Sequence, residues 1–125
     1  MKYLNEKDII TIHWFEIEKY GGSQGIRDIR LIESAIHRPM ASFANQEQFP
    51  TIEEKATVLL ESLIKNHAFV DGNKRTAVTS VIVFLKANSC QLKTPKDDLF
   101  NLAIDISKNE IEREEIIKFI KTHIS

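Results

Sequence analysis

The sequence is poor in the residues that interrupt regular structure or cross-link chains. Only four glycines, three prolines and one cysteine occur among its 125 residues. So few chain-breaking residues favour long helices over many short strands. The single cysteine, Cys90, excludes a disulfide within one chain and favours an intracellular location. It follows an apolar run, and we expect it to be a small residue at the edge of the core.

The sequence also lacks an excess of charge and a long apolar run. Its 17 lysines and arginines nearly balance 18 aspartates and glutamates, which argues against direct binding of nucleic acid or an anionic membrane. No segment approaches the ~20 apolar residues of a membrane span, and the first residues do not resemble a signal peptide. We therefore expect a cytoplasmic protein, in which any phosphate site is local.

Capping residues and apolar spacing predict helices along the whole chain. The length and the 42% of apolar residues fit a single domain over residues 1–125. The segment from Thr76 to Lys86 is rich in β-branched residues, and only its length favours a helix over a strand. The predicted helices begin, in chain order, at Asn5, Asp28, Thr51, Thr76, Thr94 and Glu110. The predicted fold class is all-α, a compact single-domain bundle of about six helices.

Several conspicuous side chains lack the spacing of a functional site. His13, His37 and His123 show no metal-ligand pattern, so we expect helix packing or surface exposure for each. Trp14 and Phe15 are expected to pack in the core, because no basic patch accompanies them as base stacking would require.

One ten-residue segment between two apolar helical runs concentrates groups able to do chemistry. Its sequence is His67-Ala-Phe-Val-Asp71-Gly72-Asn73-Lys74-Arg75-Thr76. A Gly-Asn pair at a helix start can turn unpaired N–H groups toward one anion, and Lys74 and Arg75 would add positive charge there. Asp71 could hold Mg²⁺, which shares oxygen ligands with nucleotide phosphates. His67 could accept a proton from a hydroxyl nucleophile near neutral pH.

A simpler interpretation of the same segment is an ordinary turn. Asp-Gly-Asn is a common turn sequence, and the two cations could be solvated at a helix start. A Walker A loop is excluded, because its Gly-x-x-x-x-Gly-Lys-Ser/Thr spacing and a preceding strand-like run are absent. An isolated Asp-Gly-Asn-Lys would favour the interpretation as an ordinary turn, whereas the full ten-residue segment does not.

The full string resembles the signature of the Fic/Doc family in its Doc variant. Upstream, the segments Tyr20 to Asp28 and Glu33 to Pro39 are similar to the corresponding part of Doc proteins, so the resemblance covers nearly the whole chain. It implies an all-helical Fic-type bundle with the signature in the loop between two central helices.

The resemblance also implies individual roles within the segment. His67 would deprotonate a serine, threonine or tyrosine hydroxyl of a target protein, and Asp71 would bind the metal ion. The backbone from Gly72 through Asn73 to Lys74 would form the anion hole, and Phe69 would anchor the segment in the core. Lys65, just before the motif, either adds a phosphate contact or is simply solvated.

Two departures from the wider family bear on the reaction. Nucleotidyl-transferring members have glycine at the position of Lys74 and a second arginine at that of Val78. Doc-type members share the lysine, and the resemblance implies that they are kinases. Such a kinase would use ATP and Mg²⁺, phosphorylate a threonine of elongation factor Tu and arrest translation. The alternatives are transfer of AMP to a protein hydroxyl and a catalytically idle antitoxin-binding module.

The resemblance implies control by a second protein. The self-inhibitory motif of many Fic proteins, Ser/Thr-x-x-x-Glu-Gly/Asn, does not occur in the chain. A Phd-type antitoxin would instead fold its disordered C-terminal segment into an exposed apolar groove. The loop from Met40 to Pro50 could be a flap that pairs with the target by its edge, or a connector.

Overall fold

Six α-helices and one short β-hairpin make up the protein. The computed structural model describes all 125 residues. The helices are α1 (Glu6–Tyr20), α2 (Ile29–His37), α3 (Ile52–Asn66), α4 (Asn73–Ala87), α5 (Lys96–Ser107) and α6 (Arg113–His123). A 3-10 turn, Arg38–Met40, follows α2, and strands β1 (Ser42–Phe43) and β2 (Gln46–Glu47) pair antiparallel. The predicted six-helix, all-α class is confirmed, with the small hairpin inside the Met40 to Pro50 loop.

Three of the predicted helix starts are capped as the sequence indicated. The Asn5 side chain accepts a hydrogen bond from the backbone N–H of Asp8, and the Asp8 carboxylate accepts one from the backbone of Asn5, both at 2.9 Å. The Asp28 and Thr51 side chains accept backbone N–H groups at the starts of α2 and α3. Each cap satisfies an N–H group that has no partner within its helix.

The other three helix starts differ from prediction. Helix α5 begins at Lys96, because Pro95 is extended and the Thr94 hydroxyl is buried without a hydrogen-bond partner instead of capping the helix. Helix α6 begins at Arg113, with Glu112 extended before it. Helix α4 begins at Asn73, before the predicted Thr76, since the left-handed residue at position 72 caps it. The two positively charged residues of the motif, Lys74 and Arg75, therefore lie in the first turn of α4.

Helix α3 occupies the centre of the fold and contacts α2, α4, α5 and α6, while α1 packs on α4. One cluster of 22 buried hydrophobic residues forms the core, and it includes Leu59, Ile64, Phe69 and Phe84. Burial of a side chain of this size contributes roughly 1.5–3 kcal/mol. Both helices that flank the motif are thus held by the core. None of the six helices has the length and apolarity required to cross a bilayer.

The prediction that Trp14 and Phe15 pack in the core is wrong. Their exposed fractions are 49% and 62%. The buried face of α1 is occupied by Ile9, His13 and Ile17, and at 100° per residue positions 14 and 15 fall outside it. The two aromatic rings instead contact each other edge to face, with centroids 5.2 Å apart.

The expectations for the other singled-out residues agree with the structure. Cys90 is partly buried against the core. The Nδ1 atoms of His37 and His123 lie 2.8 and 2.7 Å from carbonyl oxygens one turn earlier in their own helices.

The hairpin is tied to α3 by a buried lysine. The Lys55 side chain is 1% exposed, and its Nζ donates to the Pro39 carbonyl at 3.1 Å and to Glu47 Oε1 at 2.8 Å. A buried ammonium needs such partners, because an unpaired charge in the interior is strongly destabilising. The hairpin is therefore held in place, while Phe43, the last residue of β1, stays 82% exposed.

Candidate active site

The predicted motif forms the link between α3 and α4. His67 ends α3 in the left-handed conformation, with φ 51° and ψ 51°. Gly72 begins α4 in the same region, with φ 74°. A Cβ atom at position 72 would lie 2.8 Å from Ile17 Cδ1. Glycine is required there, because it has no Cβ and adopts positive φ at little energetic cost.

The side chain of Asn73 closes this loop from within. Its Oδ1 accepts the backbone N–H of Phe69 at 3.0 Å, and its Nδ2 donates to the Phe69 carbonyl at 2.9 Å. Asn73 is only 7% exposed, so its side chain is committed to the loop. The predicted part of Asn73 in phosphate binding can therefore come only from its backbone N–H.

A distant segment holds His67 in place. The Arg27 backbone N–H donates to the Ala68 carbonyl at 2.7 Å, and Ile26 forms an antiparallel bridge with Phe69. The Arg27 side chain donates through Nε to the His67 carbonyl at 2.7 Å and through a terminal nitrogen to that of Asn66 at 3.1 Å. Cations stabilise the carbonyl end of a helix in this way. The His67 imidazole itself remains exposed.

The Asp71 carboxylate is oriented by backbone N–H groups. It accepts the N–H of Ser23 at 3.1 Å and that of Gly72 at 2.8 Å. These two hydrogen bonds, with a smaller contribution from the charge of Arg75, hold the pKa of Asp71 below its usual range. A Cβ atom at position 22 would lie 2.6 Å from Asp71 Oδ2, so Gly22 is needed for this approach. Asp71 is therefore a fixed, exposed and negatively charged group at neutral pH.

The start of α4 opens into a cavity of about 190 Å³. The cavity is lined by Asp71, Gly72, Asn73, Lys74, Arg75 and Phe100. The backbone N–H groups of residues 73, 74 and 75 have no acceptor in the protein. The N–H of Gly72 already donates to Asp71, so the free set lies one residue later than the predicted Gly72 to Lys74. Three free N–H groups at a helix start form a binding site for an anion.

The two cations of the cavity are not neutralised by carboxylates. The ion pairs of the protein are Arg30–Asp28, Lys55–Glu47 and Arg113–Glu61. Lys74 is exposed. The Arg75 guanidinium lies over the ring of Tyr20, 4.6 Å from its centroid, and 5.7 Å from that of Phe100. Both positive charges remain available to phosphate oxygens.

Comparison with known proteins decides the family. The sequence profile of the Fic/DOC family matches residues 3–85, which include the whole motif. The chain belongs to the Fic/DOC family. It is 38% identical over 96 residues to "Toxin Doc" of Mycolicibacterium smegmatis (strain ATCC 700084 / mc(2)155), covering 77% of this chain and 72% of the relative. It is 32% identical over 111 residues to "Protein kinase doc" of Escherichia phage P1, covering 89% and 86%.

Two sequence positions lie outside the Fic/DOC cavity. Lys65 is exposed in the last turn of α3 and does not line the cavity, so the structure does not bring it to the candidate anion site. Val78 is 2% exposed within the core. No second arginine therefore reaches this cavity from α4.

Asp71 is the one carboxylate that lines the Fic/DOC cavity. Its oxygens each accept one N–H group and retain further lone pairs for a cation. A single charged carboxylate suits Mg²⁺ that takes its remaining ligands from water and nucleotide phosphates. The donor set thus fits a metal ion that binds together with a nucleotide and does not fit an all-protein metal site.

Several residues of the site could not be found by sequence reasoning. His13, Ser23, Arg27 and Phe100 contact the motif or line its cavity. Each lies far from the motif in the chain and has no local pattern that marks it. Only the resemblance of the Tyr20 to Asp28 segment to Doc proteins pointed to the neighbourhood of two of them.

Replacing Asn73 by alanine is expected to destabilise the Fic/DOC protein by about 2–4 kcal/mol, because the buried N–H and carbonyl of Phe69 lose their partners. Urea unfolding measures this change. Asn101→Ala is a matched control, since Asn101 is exposed on α5 and its side chain makes no hydrogen bond within the protein. The free energy of unfolding of this control should fall by about 1 kcal/mol or less. Equal losses in both variants would show that Asn73 does not hold the loop.

Proposed function

We propose that this Fic/DOC protein is a toxin that transfers the γ-phosphoryl group of ATP to a hydroxyl of a target protein. The observation that carries the proposal is the cavity at the start of α4, where three free N–H groups and two uncompensated cations converge beside Asp71. Such a cavity suits a polyphosphate better than a single carboxylate. The two relatives, one named a toxin and the other a protein kinase, support the same activity.

In the proposed reaction His67 is the general base. Its exposed imidazole accepts the proton of the target hydroxyl as the oxygen forms its bond to the γ-phosphorus. The bond from the γ-phosphorus to the bridging oxygen breaks, and ADP leaves with the electron pair. The neutral form of the His67 imidazole is the form that can accept this proton.

The first turn of α4 stabilises the charge on the transferred group. The N–H groups of residues 73–75 and the side chains of Lys74 and Arg75 donate to its non-bridging oxygens. Asp71 would hold Mg²⁺, which when bound neutralises phosphate charge. Phosphoryl transfer depends mainly on positioning and charge stabilisation, and this turn supplies both.

Two features favour phosphoryl over nucleotidyl transfer. Lys74 occupies a position where nucleotidyl-transferring relatives have glycine, and its side chain would occupy or reshape the space for an α-phosphate. Val78 is buried, so the cavity lacks a second arginine for a γ-phosphate bound further away. Both features support a nucleotide with its γ-phosphate at the start of α4.

We propose a threonine of elongation factor Tu as the target hydroxyl, with arrest of translation as the consequence. The β1–β2 hairpin supports a role in holding such a segment. It presents Phe43 almost fully exposed, and the Lys55–Glu47 ion pair fixes it on α3. An exposed strand edge can pair with an extended peptide.

A Phd-type antitoxin is proposed as the partner that controls the toxin. Two adjoining cavities of about 280 and 300 Å³ share Thr11 and Ile12 and form a groove along α1 and α4. Phe15, 62% exposed, lies in this groove, and Val83 lines its other part. The groove reaches Tyr20, whose ring supports Arg75. An amphipathic helix in the groove would therefore reach the phosphate site.

ATP labelled at either the γ- or the α-phosphate tests the proposed reaction. The protein is incubated with Mg²⁺, elongation factor Tu and each labelled ATP, and the label in protein is measured. We expect label from the γ position alone. Label from the α position would establish nucleotidyl transfer instead.

A second pair of reactions, with the same two labelled ATPs, addresses the case in which elongation factor Tu receives no label. A cell lysate in place of purified elongation factor Tu separates a wrong target from an inactive protein. Absence of protein label from either ATP in both preparations would favour a catalytically idle antitoxin-binding module.

A further inference from the structure

We propose that His13 is a positioning residue for the motif loop, acting through the backbone of Asp71. His13 lies on the inner face of α1 and is 2% exposed. His13 does not line the cavity. Its contacts are with the motif loop, which makes it a candidate for holding the catalytic geometry.

A hydrogen bond joins His13 to the motif. The His13 Nε2 atom lies 2.8 Å from the Asp71 carbonyl oxygen. A carbonyl oxygen can only accept, so Nε2 carries the hydrogen and donates it. This bond selects one tautomer of the buried imidazole and one direction for the Asp71 carbonyl.

The bonded carbonyl belongs to a peptide group that is held at both ends. The Asp71 carbonyl and the Gly72 N–H are parts of one planar unit. His13 donates to its oxygen at 2.8 Å, and the Asp71 carboxylate accepts its N–H, also at 2.8 Å. Rotation of this peptide plane would break both bonds. The next residues supply the free N–H groups of the cavity, so the orientation of this plane sets their direction.

The imidazole ring makes a second, independent contact with the motif. It stacks on the ring of Phe69 with centroids 3.8 Å apart and an angle of 6° between the planes. Gly72 also lies against it, since a Cβ built there would be 3.8 Å from His13 Cδ2. A phenyl ring could provide this packing alone. Packing against Phe69 does not require the N–H donor at Nε2, so this donor is the property that distinguishes histidine from phenylalanine here.

This inference rests on the proposed phosphoryl transfer for its effect on rate. A displacement of about 1 Å in a positioned group can lower a rate by roughly 100-fold. Loss of the donor at position 13 would release the Asp71–Gly72 peptide plane while the core contact with Phe69 remains. The result would be a folded protein with a displaced anion site and a displaced Asp71 carboxylate.

Two substitutions separate the hydrogen bond from the packing. His13→Phe keeps a stacked ring and removes the donor, whereas His13→Gln keeps an amide donor near the position of Nε2. We expect His13→Phe to lower kcat for γ-phosphoryl transfer roughly 10- to 100-fold, with KM for the protein target unchanged within about threefold. His13→Gln should retain kcat within about fivefold of the wild type, because its amide N–H can still donate to the Asp71 carbonyl although the ring is lost.

Ile9→Val is the matched stability control. Ile9 is fully buried on the same face of α1, one turn before His13, and does not line the cavity. This variant should lower Tm and leave kcat unchanged. A kcat for His13→Phe equal to that of Ile9→Val would overturn the inference, and so would an equal loss in His13→Gln and His13→Phe.

Hydrogen exchange of the Gly72 amide provides a readout that needs no activity, because this N–H is held by the Asp71 carboxylate. In NMR experiments on the free protein, the Gly72 amide should exchange faster in His13→Phe and at nearly the wild-type rate in His13→Gln. If the wild type transfers no phosphate, the proposed function fails, and these exchange rates still decide whether His13 orients the loop. An unchanged exchange rate in His13→Phe would overturn the positioning role even if the wild type is an active kinase.

Discussion

Replacing His67 by asparagine is expected to lower γ-phosphoryl transfer by about 10²- to 10⁴-fold, the usual contribution of a general base. The fold should persist, because the His67 side chain is exposed and its one hydrogen-bond partner in the protein, the Asn73 amide, lies 3.4 Å away. Asparagine is preferred over alanine for this test. His67 has φ 51°, and asparagine tolerates this left-handed region better than other residues with a Cβ.

The matched control for this prediction is His37→Asn. His37 is an exposed histidine at the end of α2, outside the motif, and its loss should leave transfer unchanged. Initial rates with γ-labelled ATP and thermal unfolding are measured for both variants. Retention of more than about a tenth of the wild-type rate in His67→Asn would place the general base elsewhere, given the magnitude expected for such a group.

Replacing Gly72 by alanine is the second change with a large expected effect. Gly72 has φ 74°, and the new Cβ would lie 2.8 Å from Ile17 Cδ1. The left-handed conformation should destabilise the variant by roughly 1–2 kcal/mol, and the steric overlap by a further 1–3 kcal/mol. We expect transfer to fall about 100-fold, because the loop and the adjoining N–H groups must shift. Chemical unfolding and steady-state rates measure the two effects.

Two further variants separate the steric overlap from the backbone strain. Ile17→Val removes Cδ1, the one atom of Ile17 closer than 3.4 Å to the new Cβ, so the double variant Ile17→Val/Gly72→Ala should recover most of the lost transfer. Gly21→Ala is the control for strain. It has φ 89° with nothing within 4 Å of a new Cβ, and should lose stability without losing transfer. Failure of the double variant to recover would show that the contact with Ile17 does not determine the loop geometry.

Much of the fold could be predicted because it depends on local interactions. Side chains of Asn5, Asp28 and Thr51 bind backbone N–H groups two or three residues away, and such caps are visible in sequence. The start of α5 was misplaced, since whether Thr94 caps the helix or is buried depends on its neighbours in space. The exposure of Trp14 and Phe15 likewise depends on which face of α1 meets α4.

The six helices and the motif from His67 to Thr76, with its family, are predictable from the sequence, because both rest on residues close together in the chain. Which parts of that motif are free to act depends on contacts formed in the folded protein. Asp71 takes the N–H of Gly72 and shifts the free N–H groups to residues 73–75. His13 and Arg27 hold the loop from segments distant in sequence. Such contacts depend on how α1 and the segment after it pack against the motif, and no local pattern encodes that packing.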